Sequence, residues 1–387
     1  MTKPIKQAKL VLEDGSEYPG WSFGGVLSRA GEVVFTTAMN GYLQYLTDPG
    51  YRGQILVSSY PLVGNCGVPL TKNGEPVFNE AGIPVHFESS RIQVSGFVVF
   101  EPCGKPSHYT CSTTLSSWLE KNNVPGIYGI DTRALTIRLR NQGVMMGKIV
   151  VEGSNDVSFD SGMVSHPVPE VSPVEVFPME VSTSTLKGAG LPDTEAPVIV
   201  LIDCGAKAGI IRCLIARGVR IIRIPWNHDP AGLNFDGIIL SGGPGDPKAC
   251  GKTIAMVRRA FGHGKPVFGI GLGCQIMALA AGADTYKLPY GHRGQTQPCI
   301  DMESGRCYIT SQNHGFAIRS DTLPSGWEPW FINNNDNTIE GIRSTRGPFR
   351  AVQFYPEGCP GPRDTEFLFD RFIEEVRGVP LEVPCIK

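Results

Sequence analysis

The chain has almost no surplus of charge. Its 35 lysines and arginines face 37 aspartates and glutamates, a formal net charge of −2 over 387 residues. Nucleic-acid binding rests on neutralising phosphates, so a chain without a basic excess is not expected to have such a partner. Long apolar runs are missing too. The longest are strand-length, such as Val198-Ile-Val-Leu-Ile202, far short of the ~18 residues that read as a membrane span. The segment Met1–Lys9 lacks the apolar core of a secretion signal, and Glu13 and Asp14 follow it. These absences lead us to expect a soluble cytoplasmic protein with no membrane partner; an organelle matrix is the alternative, because a removed presequence leaves no trace. The 11 cysteines include no Cys-x-x-Cys and no Cys/His ligand spacing. Reduced thiols are expected rather than a disulfide framework, and no metal site. No internal repeat is present.

With 41% hydrophobic residues, a chain of this length can fill two or three domain cores. Residues 1–151 carry short β-prone runs broken by glycine turns: Lys9–Glu13, Glu32–Thr36, Gln54–Ser58 and Ile92–Phe100. Two helices are expected among them, near Thr114–Asn122 and Thr132–Asn141, giving a mixed α/β or β-rich domain. Residues 152–195 turn rich in Ser, Pro, Val and Glu, as in His166-Pro-Val-Pro-Glu-Val-Ser-Pro173. Closely spaced prolines exclude a long helix and confine strands to edges, so this stretch reads as an extended linker with at most a short helix. From 196 to 380 strands and helices alternate. Strands are expected at Val198–Ile202, Val219–Ile224, Asp236–Leu240 and Val267–Ile270, with helices at Ala208–Arg217, Ile254–Phe261 and 272–281. That alternation predicts an α/β domain, a parallel sheet with helices on both faces, with ligands at the carboxyl ends of its strands.

Two glycine-rich turns fall at those ends. Ser241-Gly-Gly-Pro-Gly-Asp-Pro247 lacks the Lys-Ser/Thr of a nucleotide phosphate loop. It can aim backbone N–H groups at an oxyanion, or it is a plain turn. Gly269-Ile-Gly-Leu-Gly-Cys-Gln275 is more specific: a buried strand, a tight turn, then a helix, the elbow on which hydrolases expose a nucleophile. The residue at the apex is Gly271, which has nothing to attack with. Cys274 lies one turn into the helix, so it reads better as a packed thiol than as a substitute. Gln312-Asn-His-Gly-Phe316 can grip an amide-bearing ligand or be a structural turn. In Ala351-Val-Gln-Phe-Tyr-Pro-Glu-Gly358, an imidazole at position 355 backed by Glu357 would make a general base and its orienter. Tyr355 replaces that base poorly, since a phenol with a reference pKa near ~10 stays neutral at physiological pH.

Together these segments resemble the small, glutamine-amidotransferase subunit of carbamoyl-phosphate synthetase. The resemblance covers nearly the whole chain. It includes Leu12-Glu-Asp-Gly-Ser16, Gly31-Glu-Val-Val-Phe35, Leu46-Thr-Asp-Pro49, Gly129-Ile-Asp-Thr-Arg133, Ser241–Pro247, Ala280-Ala-Gly-Ala283, Asn313-His-Gly-Phe316 and Gln353–Glu357. Gln297-Pro-Cys299, Ser304-Gly-Arg-Cys307 and Thr310–Gly315 look closer to the fused animal-type synthetases than to bacterial small subunits. The resemblance implies a small-subunit N-terminal domain followed by a class I glutamine amidotransferase domain. In active members a Cys-His-Glu triad hydrolyses glutamine, and the ammonia passes to a large subunit that binds ATP and magnesium; this chain itself is expected to need no cofactor.

Carried over by position, the match fails at the chemistry. Gly271 stands for the nucleophilic cysteine and Tyr355 for the histidine; Glu357 is kept. Cys274 replaces the family's elbow histidine, and Gly50 a glutamine-contacting serine. Binding positions retained are Gly243, Gly245, Leu272, Gln275, Asn313, Gly315 and Phe316. The family includes ammonia-dependent synthetases whose glutaminase domain lacks the cysteine. The expectation is therefore a small subunit without glutaminase activity, with a synthetase large subunit as partner, glutamine as a candidate ligand, and pyrimidine or arginine synthesis as the pathway. The alternatives are a glutaminase using a displaced cysteine, Cys274 or Cys359, and a non-enzymatic scaffold in another assembly.

Overall fold

The computed structural model describes residues 5–162, 165–179 and 196–379. It divides into two units, Met1–Phe78 with Pro84–Val164, and Asn79–Ile83 with Ser165–Lys387. No helix among the described residues is long and apolar enough to cross a membrane.

The first unit is built on a closed barrel. Its strands run in the order Gln7–Leu12, Glu17–Gly24, Pro125–Tyr128, Gly96–Val98, Ile55–Ser58, Arg29–Thr36 and Met145–Val151. Gln7–Leu12 alternates, with Ala8, Leu10 and Leu12 turned inward, as a strand with one wet face must. Ile55–Ser58 is buried throughout and lies between two parallel neighbours, which matches its unbroken apolar sequence. Of the β-prone run at 92–100 only Gly96–Val98 is strand; before it, Gln93 and Ser95 spend their N–H groups on Leu46 and Gln54 carbonyls. The two expected helices are Leu115–Lys121 and Thr132–Gln142. Each is capped by a side-chain oxygen, Thr114 accepting from the Ser117 N–H at 3.1 Å and Asp131 from the Ala134 N–H at 2.9 Å. Such caps satisfy donors the helix cannot.

The second unit holds a sheet of ten strands: Phe177–Met179, Arg220–Pro225, Val198–Asp203, Gly237–Leu240, Val267–Ile270, Phe349–Val352, Ile339–Ser344, Cys307–Ile318, Thr285–Asp301 and Trp327–Asn333. The five from Arg220–Pro225 to Phe349–Val352 are parallel. Their side chains sort by alternation. Ile199, Leu201, Ile239, Phe268 and Ile270 join the core under helices Ala208–Ala216 and Phe367–Val376. Val200, Ile202, Ile238, Leu240 and Val267 join the core under Gly251–Ala260 and Leu272–Ala281. Helices therefore cover both faces, as the alternation required.

Two expectations need correction. Part of the stretch read as an extended linker folds into this unit: besides the short helix that reading allowed, Val168–Val171, the strand Phe177–Met179 pairs antiparallel with Arg220–Pro225. Pro178 is tolerated there because it sits on the outermost strand, where no ladder N–H is needed on the open side; the rest of the stretch, 180–195, lies outside the described residues. Gln312–Phe316, which could be read as a turn, is the interior of strand Cys307–Ile318. Its glycine suggested a bend, but pairing with Thr285–Asp301 keeps it extended.

Candidate functional site

The elbow forms as its glycines require, each for a separate reason. Gly271 has φ 58° and ψ −116°, between strand Val267–Ile270 and helix Leu272–Ala281. A Cβ at Gly273 would lie 2.5 Å from the Leu240 carbonyl, and one at Gly269 2.7 Å from Met277 Sδ. Those two glycines let helix and strand approach closely. Position 271 differs. The nearest atoms a Cβ there would meet are the Gly242 Cα at 3.4 Å and the Gln353 carbonyl oxygen and Tyr355 Cε1 at 3.9 Å. Its surroundings leave space for a Cβ; the positive φ resists one, the strain a nucleophile elbow carries.

The Ser241–Pro247 turn sits beside the elbow. Ser241 Oγ accepts the Cys204 N–H at 2.9 Å and its carbonyl takes the Gly273 N–H at 3.1 Å. A side chain at Gly243 would collide with the Cys204 carbonyl and crowd Leu272. Gly245 has φ 90° and packs against Pro167.

Opposite Gly271 the structure places Tyr355, 5% exposed, and with it a residue that the sequence reading missed. Lys207 Nζ lies 2.7 Å from Glu357 Oε1, 3.7 Å from the centroid of the Tyr355 ring, and donates to the Cys359 carbonyl. The side chains of Lys207 and Glu357 are both sealed from solvent. An ammonium so placed needs a carboxylate and further acceptors to offset its desolvation, and the tyrosine face adds a cation–π contact. Lys207 immediately precedes helix Ala208–Ala216. The turn leading to it is held by Asp203, whose Oδ1 accepts the Gly205 and Ala206 N–H groups at 2.7 Å and whose Oδ2 accepts from Arg223. The available signal was position: Lys207 follows the carboxyl end of a central parallel strand, where such sheets place their chemistry.

Cys274 is not set at the apex. Cys274 is fully buried in the apolar cluster with Leu240 and Ile276, while Tyr355 belongs to the cluster on the other face. Burial first, then the charge of Glu340, pushes the Cys274 thiol well above its ordinary range, so it is a poor source of thiolate. Cys359 is partly exposed, with Arg212 Nη2 3.5 Å from its sulfur.

The other positions fall in three places. Gln275 Nε2 donates to the Phe316 carbonyl at 2.9 Å and to Gln353 Oε1 at 3.0 Å, tying the elbow helix to strand Cys307–Ile318 and to the residue just after strand Phe349–Val352. The same Phe316 oxygen lies 2.9 Å from His314 Nδ1. Asn313 pairs in register with Arg293, whose Nη2 would lie 3.2 Å from a Cβ at Gly315. Gly50 belongs to the barrel unit, in the turn Pro49–Tyr51, where Asp48 Oδ1 accepts its N–H at 2.8 Å.

A strand–elbow–helix on a doubly wound sheet, with a carboxylate after the neighbouring strand, belongs to the triad-type amidotransferases, and the family described as glutamine amidotransferase class-I matches residues 200–375. Residues 10–149 match the family described as carbamoyl-phosphate synthase small chain, CPSase domain. Over 386 residues the chain is 41% identical to the carbamoyl phosphate synthase small chain of Pyrococcus furiosus, covering 96% of this chain and 98% of that one. The chain belongs to the carbamoyl-phosphate synthase small-chain family. It is also 45% identical over 383 residues to multifunctional protein pyr1-3 of Dictyostelium discoideum, covering 96% of this chain and 17% of that protein. It is 43% identical over 375 residues to human mitochondrial carbamoyl-phosphate synthase [ammonia], covering 96% of this chain and 24% of that protein. The chain thus spans a quarter or less of these two longer relatives.

Proposed function

We propose that this chain serves a carbamoyl-phosphate synthase as a small-subunit region that no longer hydrolyses glutamine, and that the synthetase it supports takes free ammonia. The observation that carries this reading is the elbow. Gly271 holds the geometry and surroundings of a nucleophile position with no nucleophile on it. Acyl transfer from glutamine needs an attacking atom and a base to take its proton. Here the facing residue is Tyr355, and the retained carboxylate of Glu357 is bound to Lys207. Losing a nucleophile alone costs several orders of magnitude in rate. The name of the human relative, carbamoyl-phosphate synthase [ammonia], fits the same reading.

The partner is a synthetase large subunit or segment, on which ATP and magnesium would bind. What remains for this chain is to bind and support that partner; glutamine binding at Gln275, Asn313 and Phe316 is compatible with it. The test is ammonia release from glutamine by the purified chain, alone and with a large subunit from the same source. The expected result is no release, with complex formation and carbamoyl phosphate made from added ammonium. Release well above a heat-inactivated control would overturn the reading.

A further inference from the structure

We propose that His292, His314 and Glu340 form a binding site for a divalent transition-metal ion of zinc's class, fastening together three strands of the second unit. The three residues come from three strands: His292 from Thr285–Asp301, His314 from Cys307–Ile318 and Glu340 from Ile339–Ser344. His292 and His314 face each other in register, and all three side chains are buried. One donor atom from each lies within 4.8 Å of the others.

The hydrogen-bond pattern gives the direction of each ring. His314 Nδ1 lies 2.9 Å from the Phe316 carbonyl, which can only accept, so that nitrogen carries the hydrogen. Its Nε2 then points at Gln312 Oε1, 3.1 Å away, and Glu340 Oε2, 3.5 Å away. The Gln312 amide nitrogen is already directed at Thr310 Oγ1 and Cys299 Sγ, which leaves its oxygen toward the histidine. His292 Nε2 lies 2.9 Å from Asp336 Oδ2, and its Nδ1 points at Glu340 Oε1 at 3.0 Å. Thr338 and Asn333 approach Glu340 Oε1, but the buried Glu340 Oε2 accepts no hydrogen bond.

Lone pairs therefore converge: two imidazole nitrogens, two carboxylate oxygens and an amide oxygen. A cation between them resolves the conflict. Two added protons would leave two imidazolium rings with centroids 4.8 Å apart, whereas one divalent ion replaces both. Metal-binding histidines characteristically give their far N–H to a carboxylate or a backbone carbonyl, and Asp336 and Phe316 occupy those places. Zinc–nitrogen and zinc–oxygen bonds of about 2.0–2.2 Å in a tetrahedron put donors roughly 3.3 Å apart. His292 Nδ1 lies 3.0 Å from Glu340 Oε1 and His314 Nε2 3.5 Å from Glu340 Oε2, each within a few tenths of an ångström of that; one ligand atom from each of the three residues lies within 4.8 Å of the others, so the side chains would have to draw in around an ion. Gln312 Oε1 or a water can supply the fourth position. No sequence signature marks the site because its ligands meet through antiparallel register, not along one helix or loop.

The test uses the full chain carrying Cys66→Ser and Cys307→Ser, which removes the two exposed thiols among the described residues. It is stripped with a chelator, equilibrated with zinc ions, dialysed, and its metal counted by mass spectrometry. One zinc per chain is expected, and His292→Ala and Glu340→Gln should each lose that equivalent while keeping the far-ultraviolet spectrum. No bound zinc, or zinc unchanged in both folded variants, would overturn the proposal. Cobalt(II) added to the unsubstituted histidine–glutamate cluster provides a reading that needs no variant to fold. Visible d–d bands without a thiolate charge-transfer band are expected; their absence, or a dominant thiolate band, would refute the site.

Discussion

Lys207 and Glu357, 150 residues apart in the chain, meet at 2.7 Å with both side chains closed off from solvent. The carboxylate that would orient a catalytic imidazole is thereby held by an ammonium, which also lies over the Tyr355 ring. Removing one member of such a pair leaves an uncompensated buried charge, at a cost of about 3–5 kcal/mol. Lys207→Met and Glu357→Gln should each lower stability on that scale. The double variant Lys207→Met/Glu357→Gln should recover part of the loss, because no buried charge is left uncompensated. Urea unfolding of all three, compared as a double-mutant cycle, checks this.

At the elbow, two glycines two positions apart should respond differently. A Cβ at Gly271 meets nothing closer than 3.4 Å, so the main cost of Gly271→Cys is the positive φ, about 1–3 kcal/mol. Gly273→Ala drives a methyl against the Leu240 backbone and should cost more. Equilibrium unfolding midpoints of the two variants decide the order.

Gly271→Cys alone should not release ammonia from glutamine, since Tyr355 is no general base. Gly271→Cys with Tyr355→His should yield measurable glutaminase activity. A coupled ammonia assay on both variants reads this directly. Equal inactivity would mean that restoring these two side chains is not sufficient.

Thiol reactivity should follow exposure and burial. Among the described cysteines, Cys66 and Cys307 are exposed and should be alkylated first at neutral pH, Cys359 more slowly. Cys274 should stay unmodified until the chain unfolds, because burial disfavours its thiolate. Peptide mapping after timed iodoacetamide treatment gives the ranking; early labelling of Cys274 would revive a displaced-cysteine mechanism.

Acid should weaken the second unit partly through Glu303, which lies 2.9 Å from Arg343 and 2.8 Å from Arg371. Burial pushes its carboxyl up, but Arg371 and Arg343 outweigh this and hold it below the ordinary value of 4.5. The folded pKa is thus below the unfolded one. The stabilisation is full above about pH 4.5 and is lost as pH falls through the depressed folded value. Glu303→Gln should flatten the stability–pH slope in that acid range, measured by thermal unfolding across a pH series.

The elbow was legible because its glycines, apolar strand and helix lie consecutively, so strand Val267–Ile270 and helix Leu272–Ala281 appear at the expected bounds. The flanking helices followed from apolar periodicity. Lys207 escaped because a lysine before an apolar helix looks like an exposed charge until the sheet brings Glu357 to it. Residues 165–179 read as linker because their prolines exclude central strands, and an edge strand leaves the same trace. His292, His314 and Glu340 were invisible since only pairing between strands makes them neighbours.

The Phe316 carbonyl oxygen has two lone pairs, and two side chains claim them: Gln275 of the elbow helix and His314 of the histidine–glutamate cluster. One atom is thus a shared hinge pin. Whatever turns the His314 ring, whether a proton, an ion or a substitution, tugs on the carbonyl that steadies the helix behind Gly271. The Gln275 side-chain amide resonance would register that tug from the far side, a built-in strain gauge for the elbow.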